Sequence, residues 1–282
     1  MNVGSQSVDD MGVTPLFDFL CSNFFTMKKV AFITGASKGI GLEIARIHAA
    51  HGDDLILTAR SLHDLQEIKT HFECEYPVKV TIIAKDLSMA GSAEEVFDEI
   101  KQQHIDVDYL VNNAGFGDYG YFADTNWDRY SAMINLNISS LTELCHLFIS
   151  DWQGRKAGKI LNVASTAAFQ PGPKMAVYFA TKAYVLSFSQ AIGQEVKKDG
   201  ITITAFCPGP TNTNFMDDSQ MIVSRMVAGH KLPAPKEVAR CAYKAMISGK
   251  SVAIHGTKNR IMANLNRFVP RSWATKITDK LL

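Results

Sequence analysis

The chain lacks the cysteine and histidine spacing of a metal site or a disulfide framework. Its five cysteines are odd in number and scattered, with no Cys-x-x-Cys pair. That pattern favours reduced thiols in a cytoplasmic protein. The eight histidines include no His-Glu-x-x-His segment, so we predict no metal site.

Neither charge nor hydrophobicity is concentrated in one long run. The 29 basic and 28 acidic residues nearly balance, so no general attraction to nucleic acid or to an anionic membrane is expected. No apolar run reaches the roughly 18–20 residues that a membrane span needs. With 282 residues, 46% hydrophobic and 20% charged, the composition is that of an ordinary globular protein.

Segments typical of strands and of helices alternate from Lys28 to about Lys250. Because continuous apolar strands alternate with helices, we predict an α/β fold of the doubly wound Rossmann type, a seven-stranded parallel sheet with helices on both faces, in one domain over residues 27–256. The predicted strands are Val30–Thr34, Leu55–Thr58, Val78–Ala84, Tyr109–Val111, Lys159–Val163, Ile201–Phe206 and Ser251–Ile254. The predicted helices are Ile40–His51, Leu62–Phe72, Ala93–Gln103, Trp127–Ser150 and Lys174–Lys197.

A glycine-rich turn follows the first predicted strand and precedes the first predicted helix. It reads Thr34-Gly35-Ala36-Ser37-Lys38-Gly39-Ile40-Gly41. Glycine lets the backbone turn tightly and approach a pyrophosphate, which the unpaired N–H groups and dipole of a helix N-terminus attract. The turn therefore predicts a dinucleotide site formed by Gly35, Ser37, Lys38, Gly39, Ile40 and Gly41.

The end of the second predicted strand indicates which dinucleotide binds. NAD sites usually place an Asp or Glu there to accept hydrogen bonds from the ribose hydroxyls. Here the strand is followed by Ala59-Arg60 with no acid, and Lys38 supplies a second cation. Two cations suit a 2′-phosphate, so we predict NADP(H) in preference to NAD(H); the alternative is that both side chains are merely solvated. Asp86 and Leu87, after the third strand, are the predicted adenine contacts.

Tyr178 and Lys182 are four residues apart in a predicted helix, which places both side chains on one face. A phenol titrates near pH ~10 and is a poor acid or base at neutral pH. A neighbouring positive charge stabilises the phenolate and lowers the pKa of the phenol. The pair therefore predicts a tyrosine that transfers a proton.

The motifs stand in the order found in one enzyme family. They are Thr-Gly-x-x-x-Gly-Ile-Gly at 34–41, Asn112-Asn113-Ala114-Gly115, an Asn in the next helix, Ser165, Tyr178-x-x-x-Lys182 and Pro208-Gly209. From Lys28 to Lys250 the chain resembles the single-domain short-chain dehydrogenase/reductases. Met133–Asn137 is similar to the subgroup that contains hydroxysteroid and keto-acyl reductases.

The resemblance implies a role for each catalytic residue. Tyr178 would donate the proton to a carbonyl oxygen, and Lys182 would lower the pKa of that phenol and bind the nicotinamide ribose. Ser165 would hold and polarise the substrate oxygen, and Asn137 would anchor the water through which Lys182 exchanges protons. The resemblance also implies cofactor contacts at Tyr178, Lys182, Asn113, Ala114, Gly115, Pro208, Gly209, Thr211 and Thr213.

The expected activity is NADPH-dependent reduction of a ketone or aldehyde to an alcohol, by a homodimer or homotetramer. The apolar, Met-rich segment Asn212–Pro233 predicts a hydrophobic substrate, although ordinary packing would produce the same pattern. After Gly115, the side chains of Asp118, Tyr119, Tyr121 and Phe122 either approach this substrate or belong to a surface loop. Two alternatives stay open: a non-catalytic NADP(H)-binding sensor or scaffold, and a sugar-nucleotide epimerase or dehydratase, which normally needs a longer substrate domain.

Both ends of the chain differ from this body. Residues 1–26 precede Met27, where a chain of this type could begin, and are a flexible arm, a docking segment or a mis-assigned start. Residues 257–282 form a basic, amphipathic tail with apolar residues at helical spacing, such as Ile261 with Leu265 and Trp273 with Ile277. Such a tail could lie on a membrane surface. The favoured interpretation is a cover over the substrate cleft or a helix at a subunit contact.

Overall fold

The structure, a computed structural model, describes residues 1, 28–213, 232–265 and 268–282, without the side chains of residues 271 and 281. The predicted N-terminal extension, apart from its first residue, and most of the predicted Met-rich segment lie outside the described residues.

A seven-stranded, all-parallel sheet forms the centre of the molecule and confirms the predicted fold class. The strands are β1 (Val30–Thr34), β2 (Asp54–Ala59), β3 (Val80–Ala84), β4 (Tyr109–Asn112), β5 (Gly158–Val163), β6 (Ile201–Cys207) and β7 (Val252–Ile254), in the order β3-β2-β1-β4-β5-β6-β7. After β1, the strands β2 and β3 are added on one side of β1. The chain then crosses to the other side, where β4 pairs with β1. This reversal opens a crevice at the carboxyl ends of the central strands, where such folds bind ligands.

Helices cover both faces of the sheet. They are α1 (Gly39–Ala50), α2 (Leu62–Glu75), α3 (Ser92–Gln102), α4 (Trp127–Ile134), α5 (Leu141–Trp152), α6 (Ala176–Glu195), α7 (Pro235–Ile247), α8 (Thr257–Leu265) and α9 (Arg271–Leu281). One face carries α1, α2 and α7, through residues such as Ile44 and Val238; the other carries α3, α5 and α6, through residues such as Ile100 and Phe148. These four side chains are fully buried. Because helices cover the strands on both faces, the strand sequences are continuously apolar.

The long helix predicted over Trp127–Ser150 is two helices, because a π-helical turn at Asn135–Ser140 separates α4 from α5. The whole stretch Trp127–Trp152 is long and apolar enough to cross a membrane by length and composition alone. In the structure Phe148 and Trp152 are buried under the sheet, and the Trp152 indole donates to the main-chain oxygen of Val107 over 2.8 Å. These contacts are those of a core helix.

Candidate active site

A cleft of about 440 Å³ lies at the carboxyl ends of the central strands. It brings together nearly all the residues that the sequence singled out. Those lining it are Gly35, Ser37, Lys38, Gly39, Ile40, Arg60, Asp86, Leu87, Asn113, Ala114, Gly115, Ser165, Tyr178, Lys182, Pro208, Gly209, Thr211 and Thr213. Gly41 and Asn137 are not among the lining residues; they lie behind the wall and shape it.

The glycine turn is built for a close approach of the backbone to a ligand. Gly35 and Gly39 have φ angles of 64° and 63°, a region that disfavours other residues. The Asn113 amide donates to the main-chain oxygens of Thr34 and Gly35 over 3.0 and 3.1 Å. A Cβ atom on Gly41 would lie 2.4 Å from both that amide nitrogen and the Gly35 oxygen. Glycine at position 41 therefore leaves room for the hydrogen bonds between Asn113 and the turn.

The first turn of α1 fits a pyrophosphate. Its N-cap residue, Lys38, makes no side-chain cap hydrogen bond, and no acidic residue lies in the first turn. The N–H groups at a helix start need partners, and without a side-chain cap they are open to an anion.

Positive charge dominates the adenosine side of the cleft. Lys38 and Arg60 are exposed there, and Lys85, which the sequence analysis did not name, joins them while paired with Glu95 at 2.6 Å. Among the described lining residues, Asp86 is the one carboxylate, and its Oδ1 accepts from the main chain and hydroxyl of Ser88 over 2.9 and 2.7 Å. The lysine and arginine side chains on this side of the cleft can therefore hold a phosphate group.

Ser165 and Tyr178 are hydrogen-bonded side chain to side chain across the cleft floor. Ser165 follows β5, and Tyr178 lies in the first turn of α6. The Ser165 hydroxyl also accepts from the main-chain N–H of Ala167 over 3.1 Å and caps a short 3₁₀ turn. This cap orients the hydroxyl that meets the Tyr178 phenol, and the catalytic role of Ser165 stays a prediction.

Lys182 is a buried cation one turn along α6 from Tyr178. Its Nζ donates to the main-chain oxygen of Val163 over 2.8 Å and lies 5.9 Å from the centre of the Tyr178 ring. Burial lowers the pKa of Lys182 from 10.5 to about 8. A Cβ on Gly115 would lie 2.9 Å from Asn137 Oδ1 and 3.5 Å from this Nζ, so the glycine of the Asn-Asn-Ala-Gly segment leaves space for the Asn137 side chain beside the ammonium.

The pKa of Tyr178 differs from the expectation that Lys182 lowers it. Burial is the largest influence and raises this pKa to about 12, against which the hydrogen bond from Ser165 acts. The Lys182 ammonium, 5.9 Å from the ring centre, does not bring this pKa below its usual range. At neutral pH the phenol is therefore protonated, which is the state a proton donor requires.

Asn137 lies in the π-helical turn and is hydrogen-bonded to the loop after Gly115 and to α6. Its Nδ2 donates to the main-chain oxygen of Phe116 over 3.0 Å and to the Thr181 hydroxyl over 3.1 Å, and its Oδ1 accepts from the N–H of Phe116 over 3.2 Å. Thr181 directly precedes Lys182 on α6. The side chain thus fixes the loop after Gly115 against α6, while its role as a water anchor stays a prediction.

Several lining residues were missed by sequence reasoning, among them Phe116, Leu136, Gln170 and Phe179. Phe116, Leu136 and Phe179 each directly neighbour a motif residue, which was the available signal, whereas Gln170 has no such neighbour. Of the four loop residues singled out after Gly115, two make contacts within the protein and two are exposed. Asp118 is buried and pairs with Arg129 at 2.6 Å, and the Tyr119 hydroxyl donates to the main-chain oxygen of Leu282 over 2.7 Å. Tyr121 and Phe122 are exposed.

The sequence profile of the short chain dehydrogenase family matches residues 29–221, more than half of the chain. The chain belongs to this family. It is therefore an oxidoreductase that acts on CH–OH or C=O groups with a nicotinamide cofactor. The short chain dehydrogenase described here has the expected glycine turn, serine, tyrosine and lysine in one cleft.

Two relatives of this short chain dehydrogenase are named for different substrates. It is 34% identical to a very-long-chain 3-oxoacyl-CoA reductase of Laccaria bicolor, over 61% of this chain and 52% of that protein. It is 32% identical to a 17-beta-hydroxysteroid dehydrogenase type 3 of Mus musculus, over 67% of this chain and 62% of that protein. The chain thus matches less than two thirds of the length of either relative.

A solved structure has a closely similar fold. A short-chain dehydrogenase from Sphingobium yanoikuyae in complex with NADPH superposes with a TM-score of 0.76 at 27% identity. The superposition covers 85% of this chain and 94% of that one.

Proposed function

We propose that this short chain dehydrogenase reduces an apolar ketone or aldehyde to an alcohol with NADPH. The observation that carries the proposal is the hydrogen-bonded pair of Ser165 and Tyr178, with the buried Lys182 beside it, in the cleft that the glycine turn also lines. A proton donor, an oxyanion donor and a nucleotide turn then face one space, which carbonyl reduction by hydride transfer requires.

Bound NADPH supplies the hydride, and the protein positions the carbonyl and supplies the proton. The Ser165 hydroxyl donates to the substrate oxygen and stabilises the charge that develops there. The Tyr178 phenol, protonated at neutral pH, gives its proton to that oxygen. Lys182, with a pKa of about 8, is mostly cationic at neutral pH and favours the phenolate that remains.

Preference for NADPH over NADH rests on Arg60 and Lys38. Both are exposed on the cleft wall after β2 and in the glycine turn, where a 2′-phosphate would lie. A guanidinium binds a phosphate through two parallel hydrogen bonds. The NADPH in the Sphingobium neighbour is consistent with this preference.

Preference for an apolar substrate rests on the side chains around the catalytic pair. Phe116, Leu136 and Phe179 line the cleft, and Met175 and Tyr130 belong to the apolar cluster beneath Tyr178. The acyl and steroid substrates named for the two relatives are of this chemical class. The homo-oligomer and the cytoplasmic location stay predictions.

The test is oxidation of NADPH and of NADH by the purified protein, measured against a panel of apolar ketones and aldehydes. We expect turnover that is faster with NADPH at equal concentration. Equal or faster turnover with NADH would contradict the cofactor assignment. Tight NADPH binding without turnover of any carbonyl would instead favour the sensor or scaffold.

A further inference from the structure

The tail carries an apolar surface that points away from the protein. We call it the tail surface; it lies on α8, on α9 and between them. Its six large side chains are between 47% and 84% exposed: Ile261, Met262, Leu265, Phe268, Trp273 and Ile277. Isolated exposed apolar residues are ordinary, but six within seventeen positions are a concentration of the kind that marks an interaction site.

The orientation of α9 is fixed by its opposite side. Ala274, Thr278 and Leu282 follow one another at intervals of four residues and are all buried. The main-chain oxygen of Leu282 accepts from the Tyr119 hydroxyl over 2.7 Å. Because this stripe faces the protein, Trp273 and Ile277 on the neighbouring stripe are held outward. The tail was expected to cover the cleft or to lie at a subunit contact, and in the structure Ala274, Thr278 and Leu282 pack inward.

Basic side chains border the tail surface. Lys258, Arg260, Lys276 and Lys280 are exposed, and none has an ion-pair partner among the described residues. The one acid of the tail, Asp279, lies 3.9 Å from the Lys174 ammonium. Exposed apolar and aromatic residues flanked by unpaired lysine and arginine are the pattern of a helix that lies in the interface of an anionic bilayer.

We propose that the tail surface docks this protein on anionic lipid membranes, with Trp273 and Ile277 in the interface and Lys276 and Lys280 at the headgroups. A second copy of the chain is the competing occupant. In a symmetric dimer formed through this surface, the basic border of one subunit would face the same basic border of the other. The repulsion between these like charges opposes such a dimer. Negatively charged headgroups neutralise the border instead.

Docking would place the substrate side of the cleft near the lipid. Leu282 belongs to the same apolar cluster as Tyr178 and Phe179, and Tyr119, which binds it, follows the Asn-Asn-Ala-Gly loop. An apolar carbonyl dissolved in the bilayer would then have a short path to the active site. This consequence rests on the proposed function, whereas the docking itself does not.

The test is cosedimentation of the purified protein with vesicles of phosphatidylcholine, with and without about one third phosphatidylserine. We expect binding to the anionic vesicles only, weakened by salt. Lys276→Gln with Lys280→Gln should bind roughly 25-fold more weakly, since each lysine near an anionic surface contributes about 1 kcal/mol. The matched control is Lys197→Gln with Lys198→Gln, because these exposed lysines precede β6 at the opposite end of the sheet.

A second variant tests the apolar part. Trp273→Ser with Ile277→Ser should lose at least tenfold in vesicle binding and keep its rate with a water-soluble ketone, which would show an intact active site. No binding to anionic vesicles, or equal losses in the control pair, would overturn the proposal. So would a dimer in sedimentation velocity that the Trp273→Ser, Ile277→Ser variant abolishes, since a second copy would then be the occupant.

Discussion

Replacing Lys182 by methionine should stabilise the protein while it removes activity. Lys182 is 5% exposed and has no carboxylate within ion-pair distance among the described residues. Within the described part of the chain, its one hydrogen bond is to the main-chain oxygen of Val163 at 2.8 Å. A buried cation without a counter-charge is costly for folding, and methionine has a similar length without the charge.

The size of the gain follows from the pKa of Lys182. Burial lowers it from 10.5 to about 8, and each unit corresponds to 1.36 kcal/mol, so charging this lysine costs the folded state roughly 3 kcal/mol. Methionine leaves the Val163 oxygen without its donor, which takes back about 1–2 kcal/mol. The net expectation at pH 7 is a gain of about 1–2 kcal/mol in the free energy of unfolding.

The pH dependence has a definite sign. Below pH 8 both the folded and the unfolded chain carry the proton on Lys182, and the cost is fully present. Between pH 8 and 10.5 the folded chain has released the proton while the unfolded chain still holds it, so stability of the parent protein rises with pH. The advantage of Lys182→Met should therefore shrink over this window.

The assay is urea denaturation of the cofactor-free protein at several pH values, with the exposed Lys197→Met variant as control. A Lys182→Met variant less stable than the parent at pH 7 would refute the reasoning. A gain that stays constant from pH 7 to 10 would refute it equally, because the cause would then be packing and not charge.

Three further substitutions test separate parts of the site. Arg60→Ala should raise the Kd for NADPH by roughly 10–100-fold and leave the Kd for NADH nearly unchanged, as isothermal titration would show; equal losses would contradict the phosphate assignment. Gly41→Ala places a methyl group 2.4 Å from two polar atoms and should lower both stability and NADPH affinity, whereas Gly154→Ala, with nothing within 4 Å, should not. Ser165→Ala should lower kcat by roughly 10²–10³-fold and leave the Kd for NADPH nearly unchanged, because the hydroxyl that would stabilise the charge on the substrate oxygen is gone; a loss of only a few fold in kcat would contradict that assignment.

The sheet could be predicted from the sequence because its strands are buried on both faces. Each of the seven apolar runs corresponds to a strand, with ends within two residues of those predicted. The helix α7 was missed, although Pro235 at its start and the spacing of Val238 and Ala242 are local signals of a helix. The π-helical turn at Asn135–Ser140 has no such signal, because the hydrogen bonds of Asn137 to the Phe116 loop and to α6 belong to tertiary structure.

The candidate site was predictable as a set of motifs and less so as a set of interactions. Glycine turn, serine, tyrosine and lysine were identified, and they line one cleft. The raised pKa of Tyr178 was not foreseen, since burial is a property of the folded chain and outweighs a nearby charge. The inward side of the tail was not foreseen either, because hydrophobicity alone does not show that Ala274 and Thr278 pack inward while Trp273 stays exposed.

The most direct measurement compares NADPH oxidation by the parent protein and by Tyr178→Phe in the presence of an apolar ketone, with NADPH binding measured for both. The phenol oxygen is the proposed proton source, and phenylalanine keeps the ring in the cluster beneath the cleft. We expect equal NADPH affinity and a loss of at least 10²-fold in kcat for the variant. Turnover by Tyr178→Phe within a few fold of the parent would contradict proton donation by Tyr178 and with it the proposed mechanism.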